Sequence, residues 1–149
     1  MLSKKAKYAL IAMLSLARKY GEGPIVISDL AEEEKIPRKF TELILLEMKN
    51  NGLLHSKKGK GGGYWLRKPP AEITLGTIIR LIDGPLAPVS CVSLTAYQKC
   101  EECRDEATCG IKLVMKEVRD SIANILDSTS LRDVLDKVNA QTQTIMYYI

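Results

Sequence analysis

At 149 residues, 46% hydrophobic and only 5% aromatic, the chain has apolar material for one ordinary domain core, drawn mostly from Leu, Ile, Ala and Val. The net charge of +4 is modest but unevenly spread, with fourteen Lys/Arg against seven Asp/Glu through residue 68 and eight against eleven after it. That asymmetry predicts that the front half meets a polyanion. No secretory leader or membrane-spanning run is visible, so a cytoplasmic location with reduced thiols is expected.

Ser3 predicts an N-cap for a first helix running to about Lys19, with Leu10, Met13, Leu14 and Ala17 at three- and four-residue spacing. Tyr20-Gly21-Glu22-Gly23-Pro24 ends it. Ile25-Val26-Ile27 reads as a short extended run, and Ser28 as the N-cap of a second helix ending near Lys35. Pro37 suits the first turn of a third helix to about Asn50, where Phe40, Leu43, Ile44, Leu46 and Met48 are expected to supply apolar contacts. Two helices joined by a short turn make a helix-turn-helix. Leu53–Ser56 and Tyr64–Leu66 then read as paired strands. The tip between them holds four glycines and three lysines, a flexible cationic wing suited to phosphates.

Pro69-Pro70 marks a break before a fourth helix capped by Thr74, with Leu75, Ile78, Ile79 and Ile82 on one face. Gly84-Pro85 and Pro88 stop it and begin an irregular segment. Ile111, Met115, Val118, Ile122 and Ile125 follow at spacings of four, three, four and three, a heptad-like seam expected to pair with a second copy. Ser128–Val138 predicts one more short helix before a loose tail. The expected fold is mainly α (α+β). A winged helix-turn-helix spans 1–68, a helix and cysteine-containing sensor loop 69–110, a dimerisation helix 111–127, and a short helix with a loose tail 128–149.

In a reading helix, the early exposed positions reach base edges. Arg38, Lys39, Thr41 and Glu42 occupy them here. Arg can donate twice to guanine and Glu can accept from cytosine. Lys4, Lys5 and Lys7 on the first helix are candidate phosphate contacts, as are Lys57, Lys58 and Lys60 on the wing. Ser28, Gly61, Gly62 and Tyr64 complete the candidate DNA set. His55 reads as structural.

All four cysteines, Cys91, Cys100, Cys103 and Cys109, fall within nineteen residues, spaced Cys-x8-Cys-x2-Cys-x5-Cys. Such clustering points to a metal or redox site before a disulfide scaffold. Zinc, an iron–sulfur cluster and a dithiol switch all remain open. Structural zinc sites usually pair two short knuckles and only one Cys-x2-Cys is present. Lys99, Glu101, Glu102, Arg104 and Asp105 make the surroundings too polar for thiols buried as apolar filler. A Cys-x2-Cys oxidoreductase is disfavoured, since neither βαβ surroundings nor a nearby catalytic base is evident, and no enzyme activity is expected.

Lys7-Tyr8-Ala9-Leu10, Ile36-Pro37-Arg38-Lys39-Phe40, and Asn51-Gly52-Leu53-Leu54 followed by Gly59-x-Gly61-Gly62-Gly63-Tyr64 carry a resemblance, supported by Thr74-Leu75 before Ile78-Ile79. Over about residues 1–127 the chain resembles the bacterial winged-helix regulators of the IscR, NsrR, RirA and CymR type. The resemblance implies a homodimer, palindromic operators in double-stranded DNA and, in many members, a cluster held by three cysteines ahead of the dimer helix. Cys103-x5-Cys109 matches the last two of these, and Cys91 or Cys100 the first. The histidine of IscR-like proteins is replaced by Gly110-Ile111-Lys112-Leu113, and the partner carboxylate of NsrR-like proteins by Lys7-Tyr8. A 2Fe–2S or 4Fe–4S cluster on all four thiols is the simplest expectation, sensing iron–sulfur, redox or nitrosative status. The alternative is a cluster-free regulator controlled by a partner protein or small molecule, or one with structural zinc.

Overall fold

Ser3 Oγ accepts a hydrogen bond from the Ala6 amide at 3.0 Å, so the first helix, α1 (Lys4–Arg18), begins where its cap predicts. The computed structural model describes residues 1–149. The second helix, α2 (Ile27–Glu33), starts two residues early: Val26 is its N-cap and Ser28 lies inside the first turn, not at the cap. The extended run is thereby reduced to Ile25, whose N–H and carbonyl exchange hydrogen bonds with Tyr64 at 2.8 and 2.9 Å. Lys35, at φ 54°, turns the chain in the left-handed region. Pro37 is the N-cap of α3 (Arg38–Asn50), a place where its missing N–H is no loss.

The antiparallel strands β1 (Leu54–Lys57) and β2 (Gly63–Leu66) form the wing. Two glycines are obligatory there. A Cβ on Gly63 would sit 2.2 Å from the Ile25 carbonyl oxygen, and one on Gly62 2.1 Å from that of Lys57. These positions let the Ile25 strand and the wing turn approach closely. His55 lies in β1 beside Trp65, ring centroids 5.6 Å apart.

Thr74 caps α4 (Leu75–Asp83) through the Thr77 amide, and Gly84 at φ 83° ends it. The next helix, α5 (Gly110–Ser128), extends for nineteen residues without burying one of them. The chain then returns: Leu75 N–H donates to Thr129 O, and Leu131 N–H to Ile73 O, at 3.0 and 2.9 Å. The last helix, α6 (Leu131–Tyr147), is fixed by a capping box in which Ser130 and Asp133 satisfy each other's backbone N–H groups. It is longer than expected, because the segment expected to be a loose tail continues the helix.

One core joins these elements. Seventeen buried residues connect Met13 and Leu16 of α1, Leu30 of α2, Ile44, Leu45 and Met48 of α3, and Leu54 and Leu66 of the wing. They also include Ile73, Ile78, Leu131 and Leu135, so the apolar core does not stop at residue 68. The expected boundary at 68 falls between β2 and the turn at Pro70–Glu72, with residues of the same core before and after it, including a segment from the far end of the chain.

Candidate DNA-reading face and cysteine loop

The amino-terminal end of α3 projects from this core with Arg38, Lys39 and Glu42 exposed. Arg38 Nε donates to Glu42 Oε1 at 3.0 Å across one helical turn, with side-chain exposures of 69% and 47%. Such an exposed pair contributes little to folding, so a duplex can recruit either partner at small cost. Thr41 is a correction to the expected set. It is wholly buried and its hydroxyl donates to the Pro37 carbonyl at 3.3 Å, so it cannot reach a base. Phe40, Leu43 and Leu46, expected inside, are exposed, whereas Leu45 is buried.

On the wing, Lys57, Lys58, Lys60 and Gly61 are exposed. Gly62 is buried, its N–H donated to Gly59 O, so it shapes the tip without facing a ligand. Tyr64 packs partly against the core while its backbone pairs with Ile25. Lys4 and Lys7 are exposed, but Lys5 Nζ lies 2.6 Å from Glu47 and ties α1 to α3. Ser28 is half-buried in α2.

The cysteine loop joins α4 to α5 and is tied to α5 at both ends. Cys109 is the N-cap of α5, its Sγ accepting from the Lys112 amide at 3.5 Å. Arg119, further along α5, donates to the Val92 carbonyl at 2.6 Å, next to Cys91. Between these anchors, Ser93 Oγ accepts from the Ala96 amide and Asp105 turns the chain through Ala107 and Thr108. The Tyr97 hydroxyl donates to Glu106, which Lys112 approaches at 3.4 Å. The Glu106 carboxylate accepting that bond is the main reason the Tyr97 phenol is pushed up to about 12, with burial and the charges of Glu106, Cys91 and Cys103 adding to it. Conversely, Glu106 is lowered, mainly by the Tyr97 hydroxyl and then by Lys112.

Burial, with smaller contributions from Cys109, Glu106 and Cys100, pushes the Cys103 thiol up. Cys91, Cys103 and Cys109 are half-buried, Cys100 is exposed, and all four are free thiols. No three His, Cys, Asp or Glu side chains converge on a metal-sized point. The expected four-thiol ligand set is therefore not assembled here. Thiols attract one another weakly, and the loop takes its shape from the Tyr97–Glu106–Lys112 and Arg119–Val92 contacts. In donor chemistry the set still fits an iron–sulfur cluster, for which thiolates are the usual ligands. Tyr97, Glu106, Lys112 and Arg119 were not legible from sequence, since contacts across irregular chain follow no period.

The seam expected on α5 is uncovered. Ile111 is 71% exposed, Ile125 62%, and Val118 and Ile122 over a third. With Leu2, Ile79 and Pro85, the last three line an open groove of about 760 Å³. The far end of α5 is clamped to α4 where Arg80 donates to both Asp127 oxygens at 2.5 and 2.8 Å. Gly76 leaves room for that carboxylate, since a Cβ there would lie 2.0 Å from Asp127 Oδ1. No helix is long and apolar enough to cross a membrane.

A family model described as Rrf2, iron-dependent transcriptional regulator, matches residues 2–137. A putative HTH-type regulator, rrf2-like, from Rhodobacter capsulatus is 41% identical over 91% of this chain and 92% of its own. The HTH-type regulator CymR of Bacillus subtilis is 33% identical over 99% of each. Among solved structures, that of CymR, the global cysteine regulator of B. subtilis, superposes with a TM-score of 0.76 at 32% identity, covering 92% of this chain and 97% of that one. T. potens IscR gives 0.73 at 29% identity, covering 93% and 88%. The curated relatives are described as transcription regulators. The chain belongs to the Rrf2 family of DNA-binding transcriptional regulators.

Proposed function

We propose that the protein is a cytoplasmic homodimer that binds a palindromic operator through α3 and the wing, and whose operator affinity is set by an iron–sulfur cluster on its cysteine loop. The observation that carries this reading is the double attachment of that loop to α5, through Cys109 at the cap and Arg119 beside Cys91. A change at the thiols alters the start of the helix whose apolar seam is free to take a second copy. Twofold pairing fixes the spacing of the two reading helices, which must match half-sites about one helical turn apart. Cys91, Cys100, Cys103 and Cys109 would hold the cluster, which when bound supplies iron–thiolate chemistry responsive to redox state and nitric oxide. Coupling then requires that the liganded and free loops favour different arrangements of the pair.

Anaerobic purification should give coloured protein with stoichiometric iron and sulfide, and chelation should change operator affinity at fixed salt. Colourless, iron-free material, or an affinity indifferent to chelation, defeats the cluster reading while leaving the DNA-binding one standing.

A second reading has its own support: no three donors converge, and one relative of known structure, CymR, is a global cysteine regulator. Here the protein is cluster-free and answers to a partner protein or small molecule, or holds zinc. Serine at all four cysteine positions would then leave the control of operator binding intact in the partner or small-molecule case. Zinc would appear in metal analysis.

A further inference from the structure

On α3, buried Thr41, Ile44, Leu45 and Met48 define one side of the helix. At about 100° per residue, Leu43 and Leu46 fall on the opposite side, alongside Lys39, Glu42 and Asn50. Leu43 is 58% exposed and Leu46 46% exposed, and neither joins the apolar core. Phe40, the other exposed apolar residue of α3, leans edge-on against Tyr8 with ring centroids 5.5 Å apart. Leu43 therefore sits, without a role in the core, on the outward face of α3 one turn after Lys39.

The charges around it name the occupant. Lys39 stands one helical turn before Leu43, Arg38 is exposed at the start of the helix, and Lys57, Lys58 and Lys60 stand exposed on the wing, a surround suited to phosphates. Within the major groove one base-edge feature is apolar, the C5-methyl of thymine, and aliphatic side chains read it by contact. We propose that Leu43 is a specificity-determining residue, packing on a thymine methyl in each half-site beside the base pair reached by Arg38 or Glu42. The inference rests on α3 being the reading helix and adds to it a named base.

The test begins with selection from a randomised duplex library by the full-length protein. The enriched half-site contains a fixed thymine. Replacing that thymine with deoxyuridine keeps the pairing and removes the methyl, and it weakens binding about fourfold per half-site at constant salt, the value of one buried methyl. Leu43→Ala abolishes the difference between thymine and deoxyuridine and relaxes selection at that position alone. Equal affinity of the unaltered protein for both duplexes overturns the proposal, as does a Leu43→Ala variant that keeps the discrimination, or a library that enriches no sequence. The deoxyuridine arm needs no variant, so it stands even if Leu43→Ala folds poorly. Arg38→Ala and Glu42→Gln separate the layers. If they change the selected sequence and Leu43→Ala does not, Leu43 alone is wrong; if none of the three changes it, the α3 reading falls as well.

Discussion

The reading module and the long helix α5 treat their apolar residues in opposite ways. In α1, seven of fifteen residues are buried, and five of them pack with α3, α4 and α6 into a closed core. In α5 none of nineteen is buried, although Ile111, Val118, Ile122 and Ile125 recur as regularly as the residues of any core helix. Most helical stability comes from tertiary packing of an apolar stripe, and α5 leaves much of its stripe open where it rests on α4. The protomer is thus complete as a fold and incomplete as a surface. The cysteines lie where the two regimes meet, on a loop leaving the closed core at α4 and capping the open helix at Cys109.

Truncation in each region sharpens that contrast. Leu131 is wholly buried at the point where α6 completes the core, and Leu131→Ala should destabilise the protomer by about 3 kcal/mol, read as a lower denaturant midpoint with unchanged slope. A loss below 1 kcal/mol would show that α6 is an accessory and that residues 1–68 close their own core. Ile122→Asp, on the open seam, should leave protomer stability within about 0.5 kcal/mol while shifting sedimentation from dimer to monomer. A variant that remains dimeric would break the assignment of the α5 seam to a second copy.

The smallest effect tests the joint between the regions. Arg80 and Asp127 are both more than a third exposed, so Asp127→Asn should cost less than about 1 kcal/mol at neutral pH. The Asp127 carboxyl is held below its ordinary 3.8, chiefly by hydrogen bonds from Arg80. A depressed folded-state value means that this contribution is complete above about pH 4 and is lost as pH falls through the depressed value. Urea melts of the two proteins should differ at pH 7 and converge as pH falls through the depressed value. A difference that persists in acid would assign the role to packing over Gly76 instead of charge.

Legibility from sequence followed the range of the interactions. Ser3 and Thr74 cap their helices as read, because a cap needs only residues three apart. The wing followed from two short apolar runs around a glycine-rich tip. The inward side of α3 did not follow. Phe40, Leu43, Ile44, Leu45, Leu46 and Met48 spread around most of its circumference, so periodicity selects no single face. Contact with α1 and α4 selected Thr41, Ile44, Leu45 and Met48, turning an expected base contact inward and two expected core leucines outward.

The cysteine loop shows the same division more sharply. The concentration of thiols between two helices was plain in the sequence, and so was the heptad spacing of α5. Whether the thiols converge was not, since it depends on where Tyr97, Glu106 and Arg119 find partners across irregular chain. Local patterns alone therefore determined most of the helices, the caps at Ser3 and Thr74, and the wing, because each is encoded within a few residues. Tertiary structure alone decided that residues 73–78 and 131–135 complete the core and that Leu43 faces outward. It also decided that the cysteine loop is pinned to α5 at both ends. These outcomes depend on packing and hydrogen bonds between segments far apart in the chain, which no local spacing records.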